Sequence, residues 1–228
     1  MKKRVLHSEF AYFAGLILLA LGTAMMEKAD FGVSMVVAPA YLIYRKLNPL
    51  LSFVSFGMAE YLLQLVVLVI MMIILRKIRL SYILSFATAV IYGFIMDGCM
   101  ALTGLIAANP MALRVIFYLL GMVLCSMGIS MLFHTYISPE AYELFVKEIS
   151  TKLRMDVHRF KTIYDCASCL IAVAMSFAFF GFGVFEGVKL GTVFCALING
   201  SLIGLCSRFY EKHFTFKDGL KLRGFFEA

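Results

Sequence analysis

The chain alternates between long apolar runs and short polar connections, and six of the runs are long enough to cross a membrane. They cover residues 10–27, 53–75, 81–106, 113–134, 161–184 and 189–208. A helical span needs about 20 apolar residues. The runs are continuously apolar and lack the alternation of a barrel strand, and only helices and closed barrels satisfy their backbone in lipid. The pattern therefore predicts an all-α, polytopic membrane helix bundle.

Two connections are too long for simple loops and carry helical signals of their own. Residues 28–52 are largely apolar, with Ser34 as a candidate helix cap and Pro39 as a candidate kink. Residues 135–160 are amphipathic, and Ser138 precedes a proline at a favoured first helical position. Each connection is predicted to hold a short helix that does not span the membrane, and the second helix to cover residues 138–153.

The order span, short helix, span, span occurs twice, in residues 10–106 and 113–208. A shift of 104 residues places Ser34 on Ser138 and Phe56 on Phe160, and a slightly larger shift places Asp97 on Gly204. Because three is an odd number, a unit of three spans ends on the opposite side of the membrane from where it began. A second copy that follows it must therefore be inserted in the opposite orientation. The order therefore predicts two inverted three-helix repeats in one membrane domain of residues 1–228, with a cytoplasmic tail from residue 209.

Composition and charge agree with a membrane protein. Hydrophobic residues make up 62% of the chain and charged residues 15%, whereas soluble domains have about 25% charged residues. Of 21 Lys and Arg residues, 16 lie at the N-terminus, in two alternate connections and after the last span, when Lys161 and Arg208 at the ends of their spans are counted with these segments. The positive-inside rule therefore places both termini in the cytoplasm. The N-terminal apolar stretch is interpreted as an uncleaved first span.

Several functional classes are disfavoured. The basic residues are segregated between apolar runs, so nucleic acid is not an expected partner. No nucleophile and base stand out, so an enzyme is not expected. Cys166 and Cys169 form a CxxC pair without further ligands, which more often packs helices, so neither a metal nor a cofactor is expected. The expected partners are the lipid bilayer and a small solute, and a homodimer is left open.

Carboxylates inside the spans are the main functional signal, because a carboxylate facing lipid is costly. Glu60 and Asp97 lie at similar depth in the second and third spans, and we expect them to face each other in the interior and to take up a proton or a cation. The alternative is that each only makes hydrogen bonds that pack helices. The substrate-binding candidates are Asp97, Glu60, Asp30, Ser34, Ser138 and Asn199, and the coupling candidates are Asp97, Glu60 and Asp165.

Short motifs resemble those of the YczE/YyaS/YitT-like bacterial integral membrane proteins. "GTAMMEKADFGVS" (22–34) resembles the opening of that family, "IYGFIMDG" (91–98) its third span, and "SPEAY" and "FKTIYDCAS" its second half. Residues 35–37 depart from the family, whose members usually have a proline soon after the serine. The resemblance extends from about residue 12 to residue 208. It implies a permease of the bacterial plasma membrane and does not specify a solute.

Three functions are open at this point. The first is a small-solute permease, coupled to protons through its buried carboxylates. The second is a substrate-capture subunit of an energy-coupling-factor transporter, which would dock through a face of small residues such as Ala20 and Ala24. The third is a membrane accessory protein that does not transport.

Overall fold

A computed structural model describes residues 4–106 and 110–220 of the protein. Within these residues the chain forms eight helices and two short strands. The helices are α1 (Ser8–Ala29), α2 (Ala38–Leu47), α3 (Phe56–Leu75), α4 (Leu80–Gly104), α5 (Met111–Phe133), α6 (Ala141–Leu153), α7 (Val157–Phe180) and α8 (Leu190–His213), and the strands are β1 (Arg4–His7) and β2 (Phe214–Lys217).

Six of the helices, all except α2 and α6, are long and apolar enough to cross a membrane. Large apolar side chains remain exposed along them, among them Ile73, Phe94 and Leu170. Such an apolar surface would be unfavourable in water, whereas in a bilayer it contacts lipid chains. The predicted fold class, an all-α polytopic bundle, is confirmed.

The two short helices begin later than the sequence predicted. Ser34 and Ser138 make no side-chain cap, and the cap positions belong to Val37 and Glu140. Pro39 lies in the first turn of α2. A missing N–H costs little there, so the predicted kink is absent. Both helices are too short to cross a membrane.

The predicted tail from residue 209 is wrong in its first part, because α8 continues to His213 and leads into β2. Strand β2 pairs in parallel with β1. The Glu9 carboxylate reinforces this pairing by accepting hydrogen bonds from the backbone N–H groups of Gly219 and Leu220. The described ends of the chain therefore meet on one side of the bundle. Residues 221–228 of the predicted tail lie outside the described residues.

Helices α1 and α5 pack against each other in antiparallel fashion through glycines. Gly15 lies against Gly128, and Gly22 lies against Gly121. Residue numbers therefore rise along α1 in the direction in which they fall along α5. The absence of side chains at these positions lets the two backbones approach closely. This contact joins the first half of the chain, α1–α4, to the second half, α5–α8.

The two halves have corresponding neighbours. Helix α1 packs on α4 and α5 packs on α8; α3 packs on α4 and α7 on α8. Across the halves, α2 contacts α7 and α3 contacts α6. Two inverted repeats would produce this set of contacts, and the antiparallel packing of α1 on α5 agrees with it.

The register between α3 and α7 differs from the predicted shift of 104 residues. Gly57 and Tyr61 lie against Gly93, and His158 and Thr162 lie against Gly200 in the corresponding contact. These pairs equate Glu60 with Lys161 and Gln64 with Asp165. Phe56 therefore does not correspond to Phe160, because the buried faces of the helices, rather than chance identities, fix the register.

Candidate functional site

Five charged side chains are buried together where α3, α6 and α7 meet. Four are the carboxylates of Glu60, Glu140, Glu143 and Asp165, and the fifth is the ammonium group of Lys161; none is more than 3% exposed. Buried charges are costly unless they are paired or neutralised by protons. Their concentration at one place marks this cluster, which we call the central cluster, as the candidate site.

Lys161 bridges two carboxylates of the central cluster. Its Nζ lies 3.2 Å from Oδ1 of Asp165, one turn further along α7, and 3.3 Å from Oε1 of Glu143 on α6. The ammonium group also lies 5.5 Å from the centre of the Tyr164 ring. These contacts surround the buried cation, and they connect α7 to the short helix α6.

Gln64 organises the other side of the cluster. Its Nε2 donates to Oε2 of Glu140 at 2.8 Å and to Oε1 of Glu60 at 3.4 Å, while its Oε1 accepts from the backbone N–H of Ala141 at 2.9 Å. The amide therefore satisfies one of the free N–H groups at the start of α6. It also holds the two carboxylates in fixed positions between α3 and α6.

The cluster extends to α5 and α8 through Asn199. The Asn199 Nδ2 donates to Oδ2 of Asp165 at 3.2 Å, and its Oδ1 accepts from the Ser126 hydroxyl at 3.2 Å. Asn199 is 2% exposed. One polar network therefore connects helices from both halves of the chain at the core of the bundle.

The start of α6 is an unusual environment for a carboxylate. Burial raises the pKa of Glu140 well above its ordinary value, and the neighbouring negative charge of Glu143 raises it further. The Glu140 side chain therefore favours its protonated form over a wider pH range than an exposed glutamate does.

A small cavity adjoins the central cluster. It has a volume of about 20 Å³, which is room for roughly one water molecule. Its lining residues come from both halves of the chain: Leu19, Thr23, Ser34, Val36, Val37, Tyr92, Cys125, Ile129, Glu140, Tyr142, Glu143 and Asn199. The cavity therefore lies between the two halves of the chain, beside the central cluster.

Of the three larger hollows found in the described residues, two lie at opposite ends of α1, a helix about 33 Å long at 1.5 Å per residue. The inner vestibule, of about 390 Å³, reaches Ser8 at the start of α1 and Ser138. The outer vestibule, of about 250 Å³, reaches Asp30 just after the end of α1 and Val33. The names follow the orientation predicted from the charges. The central cavity touches Leu19 and Thr23, which lie between the two ends.

The chain segments leading into α2 and α6 separate the vestibules from the central cavity. In the first, Val33 faces the outer vestibule while Ser34 lines the cavity. In the second, Ser138 and Pro139 face the inner vestibule while Glu140 lines the cavity. We call these two segments, residues 30–37 and 134–140, the gate loops.

Each gate loop is held by a hydroxyl from the last span of the other half. Thr192 on α8 donates to the carbonyl oxygen of Val33 at 2.9 Å, and Ser85 on α4 donates to that of Pro139 at 2.6 Å. Further hydrogen bonds attach both loops to the opposite repeat: the Val33 N–H donates to the Gly187 carbonyl oxygen at 3.0 Å, and Thr88 on α4 donates to that of Ser138 at 3.0 Å.

A matching ion pair lies at each vestibule. Arg45 on α2 pairs with Glu186 at 2.8 Å beside the outer vestibule, and Glu148 on α6 pairs with Arg79 at 3.3 Å beside the inner vestibule. The two pairs occupy corresponding positions in the halves, but their charges are reversed. Each ties a short helix to the other repeat.

The structure distributes the predicted site residues over the centre and the vestibules. Glu60 and Asp165 belong to the central cluster, Asn199 connects to it, and Ser34 lines the central cavity. Ser138 lines the inner vestibule. Asp30 lies at the outer vestibule, where its carboxylate pairs with Arg114 and Lys189.

Asp97 is not part of the central cluster, and the expected Glu60–Asp97 pair is wrong. The Asp97 carboxylate accepts from the Ser55 hydroxyl at 2.7 Å and from the backbone N–H of Gly57 at 2.8 Å. It therefore serves the start of α3, where free N–H groups and the helix dipole favour a negative charge. Glu60, one turn further along α3, instead shares Gln64 with α6.

Sequence reasoning missed Gln64, Glu140, Glu143 and Lys161. Lys161 stands at the edge of the fifth apolar run, where the charge pattern predicts a cytoplasmic position, whereas α7 begins at Val157 and buries it. Glu140 and Glu143 stand in the amphipathic connection, for which the sequence predicts a short helix that does not span the membrane. One signal was available: the glutamates stand three residues apart and flank Ala141 and Tyr142, so the face that carries them is not purely polar.

In the part of the chain that the structure describes, no three His, Cys, Asp or Glu side chains converge as metal ligands. Searches of curated proteins and of solved structures give no match. A family model does match, and it covers residues 6–208, which is most of the chain and contains every residue of the central cluster. The chain therefore belongs to the family of unknown function DUF6198.

Proposed function

We propose that the protein is a small-solute permease of the bacterial plasma membrane, with both termini in the cytoplasm and with protons bound and released at the central cluster. The observation that carries the proposal is the arrangement of two polar vestibules at opposite ends of one helix, with a small cavity lined by buried carboxylates between them. In inverted-repeat transporters the binding site lies at the repeat interface near the bilayer midplane. The resemblance to YczE/YyaS/YitT-like proteins supports the same class.

The gate loops supply the moving parts of this proposal. Opening of the gate loop at residues 30–37 would connect the outer vestibule to the central cavity. Opening of the gate loop at residues 134–140 would connect the inner vestibule to the same cavity. The Arg45–Glu186 and Arg79–Glu148 pairs are partly exposed, and such pairs are typically worth about 0–1 kcal/mol. The two ion pairs can therefore break at little cost in free energy, whereas opening of a loop also requires the hydrogen bond from Thr192 or from Ser85 to break.

The alternative of a substrate-capture subunit loses its supporting feature. Ala20 and Ala24, the small residues expected to dock onto a coupling partner, are both completely buried. Their helix α1 packs against α4 and α5 within the same chain. This face is therefore already used for folding.

Alternation can be tested without knowledge of the solute. Val33→Cys and Ser138→Cys introduce thiols into the two gate loops at sites that are now buried, in a background without the native cysteines. We expect Arg45→Ala to speed labelling of the outer thiol and slow labelling of the inner thiol. Arg79→Ala should have the opposite effect. If both thiols respond in the same direction, or neither responds, the protein does not alternate and the proposal fails.

A further inference from the structure

The central cluster has more buried carboxylates than buried cations. Glu60, Glu140, Glu143 and Asp165 face a single ammonium group, that of Lys161, among the described residues. If all four were ionised, three negative charges would remain uncompensated in the interior. Such a state is too costly to persist. Protons or a bound cation must therefore neutralise the excess.

Two carboxylate oxygens at the cavity lack a hydrogen-bond donor. These are Oε1 of Glu140 and Oε2 of Glu143, each fully enclosed. The other oxygen of Glu140 accepts from Gln64, and the other oxygen of Glu143 pairs with Lys161. Unpaired buried acceptors are rare in folded proteins and call for an explanation.

The chemistry of the missing partner follows from these two observations. A partner that carries positive charge and donates hydrogen bonds to both carboxylate oxygens would account for the two observations together. A metal ion donates none, and no three potential metal ligands of the His, Cys, Asp and Glu type converge in the described parts of the chain. A group of the size of an ammonium ion fits the cavity, whose volume of about 20 Å³ is that of one water molecule.

We infer that the central cavity binds the ammonium group of a small amine, which donates N–H hydrogen bonds to Glu140 and Glu143. The inference rests on the proposed function and names the class of its solute. Tyr92, Tyr142 and Cys125 are the other titratable groups that line the cavity. Behind its two glutamates lie Glu60, which shares Gln64 with Glu140, and Lys161, which contacts Glu143, Asp165 and the Tyr164 ring. Thr23, Ser34 and Asn199 add polar atoms to the lining.

Binding of the amine exchanges one cation for another. When the ammonium group enters, a proton leaves a glutamate, and the total charge of the cluster stays the same. No bond other than that to the proton is broken. The exchange avoids the burial of a net charge in either state, which is the condition that a closed site within a membrane has to meet.

Binding to the purified full-length protein in detergent tests the inference with matched probes. Methylammonium and ammonium carry N–H donors. Potassium resembles ammonium in size but has no N–H group, and tetramethylammonium has the charge without any donor. At constant ionic strength, we expect methylammonium and ammonium to bind and to release a proton into a weakly buffered solution. Potassium and tetramethylammonium should do neither.

Variants locate the site. Glu143→Gln should weaken methylammonium binding by at least about tenfold, since a charge-assisted hydrogen bond is lost. Asp97→Asn serves as the matched control because the Asp97 carboxylate binds Ser55 and Gly57 at the start of α3 and is not part of the central cluster. It should leave binding unchanged. If Glu143→Gln does not fold, the comparison of ammonium with potassium on the unaltered protein still tests whether the site requires N–H donors.

Equal binding of potassium and ammonium would overturn the inference, and so would undiminished methylammonium binding in Glu143→Gln. The inference would also fail if neither methylammonium nor ammonium binds. The last outcome, combined with alternating labelling at residues 33 and 138, would reject the amine and retain the permease. Amine binding and proton release without alternating labelling would retain the site and reject transport.

Discussion

The ammonium group of Lys161 lies 3.3 Å from the carboxylate of Glu143, and both side chains are enclosed within the protein. The pair connects a membrane span to a short helix that does not span. A second carboxylate, that of Asp165, lies 3.2 Å from the same nitrogen. The interior of the bundle is therefore held together by charge as well as by apolar packing, and this makes the protein sensitive to changes that leave its surface untouched.

Loss of the buried cation should destabilise the fold strongly. We expect Lys161→Met to lower the free energy of unfolding by about 3–5 kcal/mol, because it leaves carboxylates buried without compensation. Thermal unfolding in detergent micelles measures the effect. Lys212→Met, at an exposed position on α8, should change stability by less than about 0.5 kcal/mol. Adding Asp165→Asn to Lys161→Met should restore part of the loss; a further loss would contradict the pairing.

The stability of the protein should depend on pH through Glu140. Burial and Glu143 raise the pKa of Glu140 in the folded protein above that in the unfolded chain. The free energy of unfolding is then greatest below the ordinary carboxyl range, and it falls as pH rises towards the raised pKa. Glu140→Gln should reduce this slope in unfolding curves measured between about pH 4 and pH 8. An unchanged slope, with the exposed-site variant Lys212→Met as the control, would show that Glu140 is not protonated in the fold.

The close approach of α1 and α5 should not tolerate a methyl group. A Cβ at Gly22 would lie 2.6 Å from the Gly121 carbonyl oxygen, whereas a Cβ at Gly98 meets nothing within 4 Å. We expect Gly22→Ala to cost about 1–3 kcal/mol through overpacking. Gly98→Ala should be neutral or stabilising by up to about 1 kcal/mol, because alanine favours a helix. Equal effects of the two substitutions on the midpoint of thermal unfolding would argue against this helix contact.

Asp97 should act on stability and not on ligand binding. Asp97→Ala removes the acceptor for Ser55 and Gly57, and we expect it to cost about 1–2 kcal/mol, as the loss of a helix cap does. Asp97→Asn should cost less, because the amide oxygen can still accept from Gly57. Neither variant should alter proton release on addition of methylammonium. A change in that release larger than the error of the measurement would return Asp97 to the site.

The sequence could predict the elements that depend on local pattern. The apolar runs gave six spans to within a few residues at most ends, since a helix in lipid follows from length and hydropathy alone. The two short helices were foreseen from amphipathic spacing. Their starting residues were not, because capping depends on which N–H groups other elements can satisfy. Gln64 on α3 performs that task for Ala141, across 77 residues of sequence.

The central cluster required the tertiary structure. Glu60, Asp165 and Asn199 could be singled out because a polar residue in an apolar run is conspicuous. Lys161, Glu140 and Glu143 could not, because each stands in a stretch of mixed polarity where exposure is the ordinary outcome. Only the packing of α6 between α3 and α7 removes them from water.

The sequence by itself determined the environment and the helical architecture of this protein, because the cost of an unsatisfied backbone in lipid leaves no other solution for runs of this length. Asp97 marks the limit of that reasoning. Its position in the sequence places it at a membrane depth similar to that of Glu60, which indicated a shared site. Depth, however, fixes only the position of a residue along the membrane normal. The direction in which a side chain points around its helix depends on what packs there, and the tertiary structure turned Asp97 to the start of α3 and Glu60 to the central cluster.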